Sequence, residues 1–230
     1  MDIVDFHAHV LPRADHGSSS LEDSLRQLEL AKECGVSRIV ATPHFYPHRD
    51  SVESFLARRD ASYKKLIEAA DPSVEIIPGA EVLLCDNIES LPGIERLCAL
   101  GTKTLLLELP FSDFTRDHYY SVCELLKREF DVVLAHVDRY PTENIEQLLG
   151  VGARAQINAD SLATFTRKRK LYEWLEKGRV VAIGSDIHGP DKHAYKRFRT
   201  AKKKIAAYLE YVRSESDKIF NSAKAALNKG

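Results

Sequence analysis

The chain alternates, and that alternation narrows its fold more than any other feature. Seven short β-branched or leucine-rich runs are separated by longer stretches with helical periodicity. The runs predict strands at Asp2–Phe6, Arg38–Ala41, Glu75–Val82, Thr104–Glu108, Val132–Ala135, Ala153–Asn158 and Val180–Gly184. The stretches between them predict helices at Leu21–Cys34, Val52–Ala69, Ile88–Ala99, Arg116–Lys127, Glu143–Leu149 and Ser161–Lys177. A last helical region, Asp191–Leu227, is expected to break near Ser214. Repeated strand–helix pairs call for an α/β fold with a parallel sheet, doubly wound or closed as a barrel. No Gly-x-Gly-x-x-Gly follows the first strand, so the dinucleotide-binding fingerprint is absent. No Pro- or Gly-rich linker divides the sequence, and one domain over 1–230 is the simpler expectation.

The chemistry gathers where the predicted strands stop. The first runs into His7-Ala8-His9, and residues two apart in an extended chain point the same way, so both imidazoles can face one site. The second stops at Thr42-Pro43-His44, the third at Gly79-Ala80-Glu81 and the fourth at Glu108-Leu109-Pro110. The fifth ends in Ala135-His136-Val137-Asp138-Arg139, and the last in Gly184-Ser185-Asp186-Ile187-His188. In a parallel barrel these ends share one face, where active sites are built.

Each residue alone has an ordinary explanation. Glu81 and Glu108 could be caps or salt-bridge partners, His44 a turn residue, and Asp186 and His188 a solvated loop. Together they would be six unrelated accidents at the same end of consecutive strands, so a metal site is the stronger reading. Imidazole and carboxylate donors favour manganese, iron or zinc over the ions of an all-thiolate site. The donors exceed what one ion needs, which implies two or three divalent metals able to share a bridging hydroxide. Cys34, Cys85, Cys98 and Cys123 lack Cys-x-x-Cys spacing and read as reduced thiols of a cytoplasmic protein.

With 33 Lys plus Arg against 34 Asp plus Glu, the chain has no global field to attract nucleic acid or an acidic membrane. The amino terminus lacks the pattern of a secretory signal, and the longest apolar runs are too short to span a bilayer.

The motifs His7-x-His9, Thr42-Pro43-His44, Gly79-Ala80-Glu81, Glu108-Leu109-Pro110, His136-x-x-Arg139-Tyr140 and Ser185-Asp186-x-His188 resemble the PHP (polymerase and histidinol phosphatase) superfamily. Thr-Pro-His, Glu-Leu-Pro and His-x-x-Arg-Tyr narrow the resemblance to its capsule-type branch, the manganese-dependent protein-tyrosine phosphatases of the CpsB/CapC/YwqE type. The resemblance implies a distorted seven-stranded (β/α) barrel, TIM-barrel-like, with a trinuclear metal centre. It implies metal-ligand roles for His7, His9, His44, Glu81, Glu108, His136, Asp186 and His188. The implied substrate is phosphotyrosine on the tail of a bacterial tyrosine autokinase that controls capsular or extracellular polysaccharide export.

One motif departs. The family reads Asp-Asp-Gly, with the second Asp a ligand, where this chain reads Asp15-His16-Gly17. His16 replacing the carboxylate as ligand is the favoured reading, since imidazole also binds these ions. The alternatives are that Asp15 swings in, or that one metal is held weakly.

The catalytic set that the resemblance implies has His136 and Asp186 as ligands, with Arg139, whose planar guanidinium can grip two phosphate oxygens. Lys192, His193, Lys196 and Arg197 could supply a second basic group, although a solvated helix face is the plainer reading. Phe45-Tyr46-Pro47-His48-Arg49 is a candidate rim for an aromatic ring, and the basic run Arg167–Lys170 reads as a solvated helix start. Two other readings compete: a phosphoesterase acting on histidinol phosphate or a nucleotide, and a non-catalytic metal-binding regulator. The sequence leaves the oligomeric state open, an oligomer included.

Overall fold

The computed structural model describes residues 3–111, 114–164 and 169–229. Asp2 of the first expected strand and residues 165–168 of the expected Ser161–Lys177 helix lie outside them, as does Arg167 of the basic run.

Nine strand segments form one parallel sheet: β1 (Asp5–Ala8), β2 (Arg38–Ala41), β3 (His44–Phe45), β4 (Glu75–Pro78), β5 (Glu81–Leu83), β6 (Thr104–Glu108), β7 (Asp131–Leu134), β8 (Arg154–Asn158) and β9 (Val180–Gly184). Their order is β3-β5-β6-β7-β8-β9-β1-β2-β4. The segments β6 and β9 are buried along their whole length, as strands of a sheet covered on both faces must be.

The expected strand Glu75–Val82 is two segments. β4 pairs with β2 at one end of the sheet, and β5 pairs with β3 and β6 at the other. Only Gly79-Ala80 joins them, a link that spans at most about 11 Å. The two ends of the sheet therefore lie side by side, and the sheet curls into a TIM-barrel-like half-barrel. Hydrogen bonds follow the bend: Gly79 N donates to the Ala41 carbonyl (2.8 Å) and Glu81 N to that of Pro43 (3.1 Å).

The covering helices are α1 (Leu21–Glu33), α2 (Val52–Ala69), α3 (Arg116–Lys127), α4 (Thr142–Gly150), α5 (Ala159–Ala163), α6 (Arg169–Glu176), α7 (Ala194–Lys204) and α8 (Leu209–Leu227). Ser20, Ser51 and Thr115 start α1, α2 and α3 by accepting from a backbone N–H three residues on.

Three expected helices change. Ile88–Ala99 is only two short 3-10 turns, Ile88–Ser90 and Ile94–Leu97, because Pro92 removes a backbone donor and Gly93 sits at φ 80°. Ser161–Lys177 divides into α5 and α6. The closing helical region breaks at 205–208, between α7 and α8, rather than near Ser214.

That break lets α8 lie across the amino-terminal ends of the strands. Asp217 pairs with Arg38 at the start of β2 (2.8 Å), Lys224 with Glu75 at the start of β4 (2.6 Å) and Glu215 with Arg154 at the start of β8 (3.0 Å). Ile219, Phe220 and Ala223 of α8 pack among Phe6, Val40, Val133 and Val181, closing that end of the sheet with apolar side chains. The opposite, carboxy-terminal end is left for polar groups.

All four cysteines are free thiols, and burial pushes Cys98 up to about 12, so it stays protonated. Among the described residues no helix is long and apolar enough to cross a membrane.

Candidate metal centre

At the carboxy-terminal end of the sheet, eight of the residues singled out in the sequence meet. His7 and His9 leave β1 on the same side, and their Nε2 atoms are 3.1 Å apart. Glu81, the first residue of β5 rather than the last of a strand, places Oε2 3.1 Å from His7 Nε2, 3.3 Å from His9 Nε2 and 2.9 Å from His44 Nδ1. Its other oxygen lies 2.8 Å from His136 Nε2. Glu108, at the end of β6, approaches His44 Nδ1 at 3.9 Å and His136 Nε2 at 3.7 Å. Asp186 sets Oδ1 3.6 Å from His7 Nε2 and 3.4 Å from His9 Nε2. His188 Nε2 is 3.4 Å from His44 Nε2.

Four overlapping groups have donor atoms within 4.8 Å of one another: His7, Glu81 and His136; His7, His9 and Asp186; His44, Glu81 and Glu108; and His9, His44 and His188. His7, His9, Glu81 and His136 are buried to 1% exposure or less. Glu81 Oε2, His44 Nδ1 and His136 Nδ1 are buried with no hydrogen-bond partner among the described residues. Orphaned lone pairs in a dry pocket are costly, and cations suit them because lone pairs can converge on an ion but not on one another. The donor set therefore fits divalent ions of the imidazole- and carboxylate-binding kind.

Two backbone distortions aim these groups. His136 (φ 30°) and Asp186 (φ 51°) both occupy the left-handed region, which is uncommon for residues with a side chain and concentrates at functional sites. Asp186 N is tied to the His7 carbonyl at 2.8 Å, and His136 N to Gln156 Oε1 at 2.7 Å. Close approach also dictates two glycines. A Cβ on Gly184 would lie 2.5 Å from His7 Cβ, and one on Gly17 would lie 2.4 Å from His9 Cβ.

Electrostatics divide the carboxylates. Burial raises both glutamates, but the His7, His136 and His44 imidazoles overcome it at Glu81 and hold that carboxyl well below its usual range. Burial and the charge on Glu81 push Glu108 up to about 8. Burial opposes charge on Asp186 too, yet the neighbouring His7 and His9 keep it ionised. Burial and the charge on His9 bring His188 down to about 4, so its ring is neutral and able to donate a lone pair.

Asp15 is held beside the cluster by hydrogen bonds. Its Oδ2 accepts from His9 Nδ1 (2.7 Å) and His44 N (2.9 Å), and its Oδ1 accepts from Gly17 N (2.8 Å). It orients His9, turning Nε2 toward the pocket. His16 is exposed beside the cluster, its ring stacked on His44 (4.6 Å between centroids, 8° between planes) and 4.8 Å from His188.

Arg139 sits at the pocket mouth, half-exposed, with Nη2 paired to Asp186 Oδ2. Arg197 of α7 lines the same groove and lies 3.7 Å from Asp191, whereas Lys196 is on the solvated face of α7. In the expected aromatic rim, Phe45 is core, fully buried and edge-on to Phe55 (5.2 Å). Tyr46 does reach the rim, stacked on His44 at 5.2 Å.

Sequence reasoning missed two neighbours. Phe111 is 74% exposed and 5.7 Å from Tyr140, whose own ring lies 5.5 Å from His136. Gln156, buried in β8, is central to the geometry: its Oε1 accepts from His7 Nδ1 (3.1 Å) as well as from His136 N, and its amide donates to Asn158 Oδ1 (2.9 Å). An alternating strand carrying polar Gln156 and Asn158 on its buried face was the available signal.

Gln156→Leu is expected to lower metal affinity by about 10- to 100-fold, because His7 loses the partner that fixes its tautomer. Gln156→Glu, which keeps the acceptor, is expected to retain most of the affinity. Titration of chelator-stripped protein with manganese checks both, and equal affinity in Gln156→Leu would remove the residue from this role.

The family model for capsular polysaccharide synthesis, CpsB/CapC, matches residues 3–226. The tyrosine-protein phosphatase YwqE of Bacillus subtilis is 26% identical over 231 aligned residues, covering 94% of this chain and 91% of that one. The tyrosine-protein phosphatase CpsB of Streptococcus pneumoniae is 27% identical over 210, covering 82% and 84%. The solved structure of the metal-dependent tyrosine phosphatases YwqE from Bacillus subtilis and CpsB from Streptococcus pneumoniae superposes with a TM-score of 0.77. It covers 96% of this chain and 95% of its own, at 24% identity, which speaks for a shared fold.

Proposed function

Because the chain belongs to the CpsB/CapC family of capsular polysaccharide synthesis, we propose that it is a metal-dependent protein-tyrosine phosphatase working at the pocket above. Its substrate is phosphotyrosine on a protein, the tail of a bacterial tyrosine kinase being the fitting partner, in the cytoplasm. One observation carries the reading: Glu81 faces four imidazoles at 2.8–3.3 Å, and its buried Oε2 has no hydrogen-bond partner among the described residues. Taking β2 with β3 and β4 with β5 as single bent strands turns the nine segments into a distorted seven-stranded barrel, a single domain of the PHP type.

His7, His9, Glu81, Glu108, His136, Asp186, His44 and His188 hold the metals, two or three per chain, with manganese the ion that suits the carboxylate-bearing groups. Bound there, divalent cations act as Lewis acids toward the phosphoryl oxygens and lower the pKa of the attacking water. The protein positions the rest. Arg139 reaches the phosphate with the N–H groups not engaged by Asp186, and phosphoryl transfer asks chiefly for such positioning and charge stabilisation. Tyr46 and Phe111 flank the mouth and receive the phenyl ring of the substrate.

The direct test strips the protein with chelator, reconstitutes it with manganese and measures phosphate release. A phosphotyrosine peptide should be hydrolysed only after reconstitution, with histidinol phosphate and single-stranded DNA turned over far more slowly. Fully metallated protein that leaves the peptide intact would sink the proposal.

A further inference from the structure

One helix carries charge of a single sign. In α7, Lys196, Arg197, Arg199, Lys202, Lys203 and Lys204 are basic, six of 11 residues, and none is acidic. Every other helix among the described residues contains at least one Asp or Glu. The whole chain has a net charge of -1, so the positive field belongs to this face and not to the molecule. Helix stability does not account for it. Cations favour the last turn, where Lys202, Lys203 and Lys204 sit, but Lys196 and Arg197 lie in the first turn, at the positive end of the macrodipole. Like charges three and four residues apart, as at Lys196, Arg199 and Lys203, repel one another.

Those three residues are exposed and follow one line of the helix, a stripe about 10 Å long. None of them has a carboxylate partner among the described residues, whereas Arg197 lies near Asp191, and Arg169 and Lys170 of the other basic run pair with Glu173 and Glu146. Ala194, Tyr195, Phe198 and Ala201 fill the opposite, buried face. Ala194 and Arg197 also line the groove that holds Arg139, Asp186 and His188, so the stripe begins beside the mouth of the metal centre. Asp160 and Asp191 share that groove and offset its arginines, which leaves the stripe as the surface that attracts anions.

We propose that Lys196, Arg199 and Lys203 dock an acidic segment of polypeptide flanking the phosphotyrosine, and so set which phosphotyrosines the enzyme prefers. The proposal rests on the phosphatase reading of the pocket and adds to it a sequence preference in the substrate. A segment already anchored in the pocket meets the stripe at high effective concentration, so weak surface ion pairs add to affinity. An extended segment presents alternate side chains about 7 Å apart on one side, which lets two carboxylates face the stripe together. A polypeptide fits better than a lipid surface because the stripe opens on the groove that receives the phosphotyrosine.

The test compares manganese-reconstituted wild-type protein with the triple variant Lys196→Gln, Arg199→Gln, Lys203→Gln. The substrates are a small aryl phosphate and two phosphotyrosine peptides of equal length, one flanked by Glu and one by Gln. Wild-type kcat/KM should favour the Glu peptide by about tenfold at low ionic strength, with the preference in KM and fading as salt is raised. The triple variant should hydrolyse the aryl phosphate at the wild-type rate and melt at the same temperature, yet no longer distinguish the peptides, because all three side chains are exposed. Fluorescence anisotropy of the same peptides reads docking without turnover. Tighter binding of the Glu peptide, lost in the variant, would therefore support the stripe even in a protein that hydrolysed neither, while refuting the phosphatase reading. Equal handling of both peptides by wild-type protein, or an undiminished preference in the variant, would overturn the stripe and leave that reading standing. Sedimentation of wild-type protein with phosphatidylglycerol vesicles, lost in the variant and without any peptide preference, would assign the stripe to a membrane and overturn it equally.

Discussion

Glu81→Gln protein is expected to lose most of its bound metal and about a thousandfold in rate on an aryl phosphate, the worth of several kcal/mol of Lewis-acid stabilisation. The expectation comes from Glu81's place in the cluster. Its two oxygens serve two of the four candidate groups and lie within 3.3 Å of His7, His9, His44 and His136. Glutamine keeps the volume but replaces one acceptor oxygen with an N–H₂ donor, which cannot ligate a cation. It also removes the charge that the surrounding imidazoles stabilise. Among the carboxylates of the described residues Glu81 alone lies this close to four imidazoles, since Glu108 approaches only His44 and His136. Elemental analysis beside steady-state kinetics decides the matter. Wild-type metal content with a rate within tenfold would show that the cluster does not turn on this carboxylate.

Arg139→Ala should behave differently: full metal content, with kcat/KM lower by about a hundredfold, the scale of removing one donor to a charged transition state. The guanidinium is half-exposed at the mouth, and in this state it leans on Asp186 Oδ2. Asp186 keeps a second partner there, Asn158 Nδ2 at 2.9 Å, so its orientation survives the loss. Arg139→Lys should recover only part of the rate, because an ammonium is a point charge without the planar fork that grips two oxygens. Wild-type kinetics in Arg139→Ala would mean that the guanidinium never touches phosphate. Loss of metal in that variant would reassign Arg139 to holding Asp186 in place.

The residues that the sequence marked and those that it hid differ in one respect. His7 and His9 were visible because the two-residue period of a strand is local, and it correctly placed both rings on one side. Glu81 was visible as a polar residue in an apolar run, but its true position, opening β5 after a bend at Gly79-Ala80, was not. A bend that carries the chain from one end of a sheet to the other depends on which strands pair, and pairing is not a local property. Gln156 escaped notice because an amide in a strand resembles many others until its partners, 149 and 20 residues away, are known. The expected break near Ser214 failed for a related reason. Serine costs a helix little, whereas the turn at 205–208 is placed by α8 closing the amino-terminal end of the sheet.

By itself the sequence determined the kind of fold, α/β with strand-end chemistry, and the type of donor on offer, because apolar periodicity and side-chain chemistry are properties of short segments. Tertiary structure alone decided that Asp15 orients His9 while the His16 ring stacks on that of His44, that Phe45 packs inward while Phe111 is exposed beside Tyr140, and that β3 and β4 lie at opposite ends of the strand order. Those outcomes depend on distances between parts of the chain far apart in sequence, and such distances exist only once the sheet has curled and its helices have packed.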